Sequence, residues 1–144
     1  MLLQLTVGLF ASSANIVIHS LLMALLIRVA RSHAAGMRGS SWRLAGLMSA
    51  VVCLLMGAHL AEVAVWAFTY GLVGAAAPEA DLVYFAFVNY TTLGYGDVIP
   101  VDHWRLLGPF TAMNGVLLFG WSTAVIFEVL RRALSRMDRS TRPV

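Results

Sequence analysis

Four uncharged apolar runs dominate this chain, and their lengths decide what it can fold into. Residues 1–27 and 106–127 carry no formal charge; residues 44–61 carry none either, and the apolar character continues past Glu62 to Val73. Each of these three meets the length of roughly 20 residues that a helix needs to cross a hydrocarbon core. The fourth run, 82–96, does not, because its 15 residues extend only about 22 Å as helix. It must either bury itself in a soluble core or dip into a membrane and return. The chain is 60% hydrophobic and 12% charged, against about 25% charged in soluble domains, so a soluble helical bundle is set aside. A signal peptide at the start fits poorly, because no basic residue precedes the first run and hydrophobicity resumes beyond any cleavage site near Ala14.

Arginine placement fixes the topology. Arg28, Arg31, Arg38 and Arg43 fall between the first and second runs; Arg131, Arg132, Arg136, Arg139 and Arg142 follow the last. The positive-inside rule puts both groups in the cytoplasm. If 82–96 crossed the membrane, three spans would separate the two groups and place them on opposite sides. If it is re-entrant, two spans separate them and the rule is obeyed, with the N-terminus outside. The expected fold class is therefore all-α integral membrane, with three transmembrane helices plus a re-entrant segment. Arg28 and Arg31 read as interfacial anchors. The net charge of +3 belongs to these loops and forms no basic face for nucleic acid. Cys53 stands alone, so no intrachain disulfide is possible. Ten arginines without a lysine, in an alanine-rich chain, suggest a GC-rich bacterial genome and hence a bacterial inner (plasma) membrane.

The short run ends in Thr91-Thr92-Leu93-Gly94-Tyr95-Gly96-Asp97. Glycines at alternate positions permit φ values that other residues resist. By itself, Gly94-Tyr95-Gly96-Asp97 has the composition of a surface turn. With two threonines before it, an apolar helix candidate ahead and a spanning helix behind, it resembles the selectivity filter of potassium channels, with Leu93 where that pattern has valine. The resemblance covers residues 82–127, with the second run as the outer helix. It implies a fourfold tetramer, because each loop supplies a quarter of every carbonyl ring. It also implies K⁺ coordination by the carbonyls of Thr92, Leu93, Gly94 and Tyr95 and the Thr92 hydroxyl, flanked by Thr91, Gly96 and, at the outer mouth, Asp97. Tyr95 would have a structural role, its ring packing outward to hold the carbonyl ring open. No cofactor is implied beyond K⁺ as the permeant ion. The expected partners are three further copies of the chain and membrane lipids, with no nucleic acid and no small-molecule substrate.

The expected division is a first helix with an Arg-rich cytoplasmic loop (1–43), a pore domain (44–132) and a short basic cytoplasmic tail (133–144). Within the pore domain lie an outer helix (44–73), a pore helix (79–91), the filter (92–97) and an inner helix (104–132). Pro78 and the acidic residues after it suit a helix start. Many potassium channels carry a carboxylate behind the filter, at the position of Val88, whose side chain cannot hydrogen-bond. Gly115 and Gly120 admit two readings, a gating hinge or close helix packing. Phe119, Ser122 and Thr123 are candidate linings of the cavity below the filter.

His59 and Glu62 share one helix face, with His59 about 24 Å up the helix from Arg43. Two readings stand: a satisfied pair that tethers helices, or filter support by Glu62 in place of Val88, with His59 as a titrating neighbour. Asn89, Tyr90 and Arg105 are the candidate partners of Glu62. Two ligands make no metal site. His19, among apolar residues, reads as a helix–helix hydrogen-bond partner. An enzyme would need convergent catalytic groups, and none beyond His59 and Glu62 appear. The expected function is a potassium-selective channel. The alternatives are a poorly selective cation channel, against which the intact Gly-Tyr-Gly argues, and a non-conducting accessory subunit, which the additional first helix allows.

Overall fold

The computed structural model describes residues 1–34 and 41–141. Arg38 and Arg142 lie outside the described residues. The regular elements are all helical, with no strand among the described residues: α1 (Leu2–Ala34), α2 (Ser41–Val73), α3 (Leu82–Tyr90) and, after a single 3₁₀ turn at Asp102–Trp104, α4 (Leu107–Thr141). Three helical segments are long and apolar enough to cross a membrane: Leu2–Val29, Ser41–Val73 and Asp102–Met137. At 33 residues each, α1 and α2 extend about 50 Å, beyond the roughly 30 Å of a hydrocarbon core.

Three hydrogen-bonded joins set the arrangement. A Schellman turn closes α2, with the Ala75 amide donating to the Tyr70 carbonyl at 2.9 Å and Gly74 at φ 62°. The Val101 amide donates to the Ala75 carbonyl at 2.9 Å, so the chain enters α4 at the end where it left α2. The Leu106 amide donates to Gln4 Oε1 at 3.0 Å, which brings the start of α1 to that same end. Arg28, Arg43, Arg131 and Arg132 therefore gather at the opposite end of the bundle, where Arg131 and Arg132 pair with Glu128.

The helix ahead of the filter motif starts later than the sequence suggests, at Leu82 rather than Glu79. Asp81 is its cap: Oδ1 accepts from the Val83 and Tyr84 amides, both at 3.0 Å. Asp is a strong N-cap because its oxygen satisfies amides that have no intrahelical partner. Pro78 and Glu79 belong instead to a turn that the Ala80 amide closes onto the Ala77 carbonyl. The last helix likewise starts at Leu107 and runs on to Thr141, rather than spanning 104–132.

Two cores hold the bundle. Around α3, Trp66, Tyr70, Phe85, Tyr90, Trp104 and Leu107 are buried, with the Tyr70 and Phe85 ring centroids 4.8 Å apart. Tyr70 donates its hydroxyl to Thr111 Oγ1 at 2.5 Å, because Thr111 already donates to the Leu107 carbonyl. Towards the arginine end, Met23, Leu26, Val51, Leu55, Val125 and Val129 form an aliphatic core. Large apolar side chains such as Phe10, Phe68, Leu72 and Leu117 face outward, as lipid or a partner subunit allows and water does not.

Candidate ion-conduction site

The segment after α3 is tied to that helix by its own backbone. The Thr92 amide donates to the Asn89 carbonyl at 3.0 Å and the Leu93 amide to the Val88 carbonyl at 2.9 Å; Gly94 also reaches the Val88 carbonyl, at 3.4 Å. Val88 thus supports the motif through its main chain, a contribution its apolar side chain conceals. Thr92, Gly94 and Gly96 take φ of 59°, 56° and 81°, and Leu93 and Tyr95 between them do not share the positive sign. A left-handed β-branched residue is a genuine outlier costing about 1–3 kcal/mol. Alternating the sign of φ from residue to residue lets successive carbonyls turn to one side, the arrangement a cation-coordinating backbone needs. Residues Thr92 to Asp97 are exposed in the single chain.

Beyond the glycines, Asp97 Oδ2 accepts the Tyr84 hydroxyl at 2.6 Å. That bond is the chief cause holding the Asp97 carboxyl below its ordinary value of 3.8, and it is the chief cause raising the Tyr84 phenol above 10.0. Tyr84 was not legible as a site residue, because an aromatic on an apolar helix carries no mark of its partner.

Behind α3, the polar residues of three helices meet at Glu62, which is fully buried. Glu62 Oε1 lies 2.7 Å from His19 Nδ1 and Oε2 lies 2.9 Å from His59 Nδ1. Tyr90 donates its hydroxyl to Oε2. His59 Nδ1 also lies 2.9 Å from the Tyr90 oxygen, while its Nε2 lies 3.0 Å from Ser122 Oγ on α4. One turn further along, Asn15 on α1 donates to the Glu62 carbonyl at 3.2 Å and to Asn114 Oδ1 at 2.9 Å, which Trp66 Nε1 also reaches at 3.0 Å.

Of the partners expected for Glu62, Tyr90 alone is in place. The Asn89 amide donates to the Phe85 carbonyl at 3.0 Å, and Arg105 pairs with Asp102 at 3.2 Å on the exposed surface. Asn89 also bonds the Tyr70 hydroxyl on α2, and Arg105 lies just ahead of the start of α4. His19 takes their place: the histidine read from its apolar surroundings as a helix–helix hydrogen-bond partner bonds from α1 to Glu62 on α2. His19, His59 and Glu62 form a cluster of metal-ligand types with ligand atoms within 4.8 Å of one another. Contacts of 2.7 and 2.9 Å are hydrogen bonds, however. Ligands bonded at 2.0–2.1 Å to a tetrahedral ion stand about 3.3 Å apart, farther than either contact here.

On α4, Ser122 is buried against His59 and does not face outward, whereas Phe119 and Thr123 are exposed, with Thr123 Oγ1 bonded to the Phe119 carbonyl at 2.9 Å. Gly115 lies against the end of α3: a Cβ there would approach the Tyr90 carbonyl oxygen far inside the 3.0 Å that real Cβ contacts keep. The structure thus assigns Gly115 to close packing, and α4 runs unbroken through it. Gly120 has nothing within 4 Å of its would-be Cβ.

Three long apolar helices, a short capped helix that returns the chain to the same end of the bundle, and a sign-alternating glycine segment define a membrane pore protein. A family model described as an ion channel matches residues 58–132, from the middle of α2 through α3 and the filter motif to Arg132 on α4. The chain belongs to this ion channel family, whose pore domain is of the two-helix potassium-channel type. The match leaves α1 outside. No solved structure matches the chain.

Proposed function

We propose that four copies of this chain form a potassium-selective channel, in which Thr92, Leu93, Gly94 and Tyr95 present their carbonyls to dehydrated K⁺ around a shared axis. The observation that carries this reading is the alternation of φ at Thr92, Gly94 and Gly96 directly after α3. Family membership supports a channel, and the filter pattern supports K⁺ as its ion. The exposure of residues 92–97 in the single chain favours assembly, because irregular backbone at membrane depth is tolerated only where it lines a cavity or is covered by protein. Segment 82–96 would be re-entrant, with its two ends held together by the Val101–Ala75 bond. The arginine end would face the cytoplasm and the N-terminus the outside, in the inner membrane of a bacterium.

Purified protein in liposomes passes K⁺ and Rb⁺ far better than Na⁺ and is blocked by Ba²⁺. Equal K⁺ and Na⁺ flux through intact tetramers points to a poorly selective channel; no flux through intact tetramers points to an accessory subunit. Gly94→Ala abolishes conduction, because a Cβ resists the left-handed φ of 56°. For topology, cysteines are placed at Ser41 and Glu79, both exposed, in a Cys53→Ala background. Glu79 is preferred over its neighbour Ala76, which is buried. An impermeant thiol reagent labels Glu79→Cys and not Ser41→Cys in intact cells.

A further inference from the structure

Two histidines flank one buried carboxylate, and their surroundings differ in a way that decides which of them takes a proton. His19 Nδ1 faces Glu62 Oε1 at 2.7 Å, so it carries the hydrogen that the carboxylate accepts. Its Nε2 is buried with no partner. An imidazolium at His19 would strand a charged N–H in an apolar interior, which is far costlier than leaving a lone pair unmet.

His59 has partners on both nitrogens. Nδ1 faces Glu62 Oε2 and the Tyr90 oxygen, both at 2.9 Å. Because Tyr90 gives its own hydrogen to Glu62, Nδ1 meets two acceptors and must be protonated. Nε2 faces Ser122 Oγ at 3.0 Å, a hydroxyl that can donate to a bare nitrogen or accept from a protonated one. A second proton on His59 therefore needs only a rotation of the Ser122 hydroxyl, and every hydrogen bond in the cluster survives. It also neutralises Glu62, which otherwise sits as an unpaired charge away from water. The groups that face the ring are His19 from α1 (centroids 5.6 Å apart), Glu62 on its own helix, Tyr90 from α3, and Ser122 and Phe119 from α4 (Phe119 centroid at 4.6 Å). Among these, Glu62 is the one carboxylate.

We infer that the Glu62–His59 pair is a proton-binding site at which the proton, on His59, joins the end of α3 to α4, so that K⁺ conduction depends on pH. The bound state links Tyr90, whose backbone continues into the filter, to Ser122 on the inner helix through one charge-balanced chain. Loss of the proton keeps these hydrogen bonds but removes their charge assistance, which makes such bonds roughly twice as strong as neutral ones, and leaves the carboxylate uncompensated, so the link weakens and conduction falls as pH rises. The titration belongs to the pair rather than to either residue. This inference rests on the conduction reading above.

The test uses the full-length chain with His33 and His103 replaced by Gln, so that His19 and His59 are the remaining histidines. Rb⁺ flux into liposomes is measured at symmetric pH between about 5 and 8, the range in which imidazole charge changes. Flux is expected to fall with rising pH, by at most about tenfold per unit for each proton that opening requires, and so more steeply where several of the four copies must be protonated together. His59→Gln removes the dependence, and His19→Gln retains it. In the same protein, ¹⁵N NMR of the ring nitrogens is expected to show His59 passing between singly and doubly protonated forms while His19 stays singly protonated. A flat flux profile, a dependence that survives His59→Gln, or titration of His19 instead of His59 overturns the inference. If no variant conducts at any pH, the conduction reading fails, and the ring-nitrogen titration alone decides the proton site.

Discussion

The filter segment and its helix are held at two places by the same pair of groups, a tyrosine hydroxyl and a carboxylate, in opposite surroundings. Near the mouth, Tyr84 in the first turn of α3 donates to Asp97, just past the last filter glycine, and the pair is open to solvent. At the far end of α3, Tyr90 donates to Glu62, and both are buried. Water screens the first contact, so its worth lies in positioning the Asp97 side chain. The second lies where charge is weakly screened, and losing one partner strands the others. One chemical pairing therefore serves as an adjustable latch at one end and a structural rivet at the other.

The sharpest way to break this contrast is Glu62→Ala. It strands His19, His59 and Tyr90 together, and removing one partner from a buried charged network costs about 3–5 kcal/mol. The protein is expected to melt far below wild type in detergent, with Glu62→Gln intermediate because an amide oxygen still accepts. Tyr90→Phe removes one donor to a buried carboxylate, for about 1.5–3 kcal/mol, read as a lowered melting temperature. Gly115→Ala pushes α4 away from the Tyr90 carbonyl at about 1–3 kcal/mol, the usual cost of overpacking. Gly120→Ala leaves the melting temperature of the folded chain near wild type, since nothing lies within 4 Å.

The smallest effects belong to the mouth. Tyr84→Phe is expected to leave the melting temperature nearly unchanged at neutral pH and to move the Asp97 titration up towards 3.8, which carboxylate-resolved NMR measures directly. The sign follows from the lowered carboxyl: the stabilisation is fully present above 3.8 and is lost as pH falls through the lower folded value. The difference between wild type and Tyr84→Phe, small throughout because the pair is exposed, is therefore largest above that window and vanishes below it. An equal thermal penalty for Tyr84→Phe and Tyr90→Phe would erase the distinction between latch and rivet.

The start of α3 shows how closely local chemistry can be read and where it slips. Proline and the acidic residues announce a helix within a few positions, yet the choice between Glu79 and Asp81 as its opening depends on which carboxylate reaches two free amides. Asn89 and Arg105 were reasonable partners for Glu62 by depth alone. Asn89 instead bonds the Phe85 carbonyl and the Tyr70 hydroxyl, and Arg105 pairs with Asp102 on the surface.

By itself, the sequence determined the three spans, the family and the filter pattern. Each of these depends on run length, charge placement or residue type along the chain, which folding does not alter. The tertiary structure alone decided that α1 belongs to the pore unit through Asn15 and His19, that Val88 acts through its carbonyl, and that Gly115 is a packing contact. The reason is that a helix apolar all round gives no sign of which face turns inward. Periodicity tells which residues share a face, and only the packed bundle tells what that face meets.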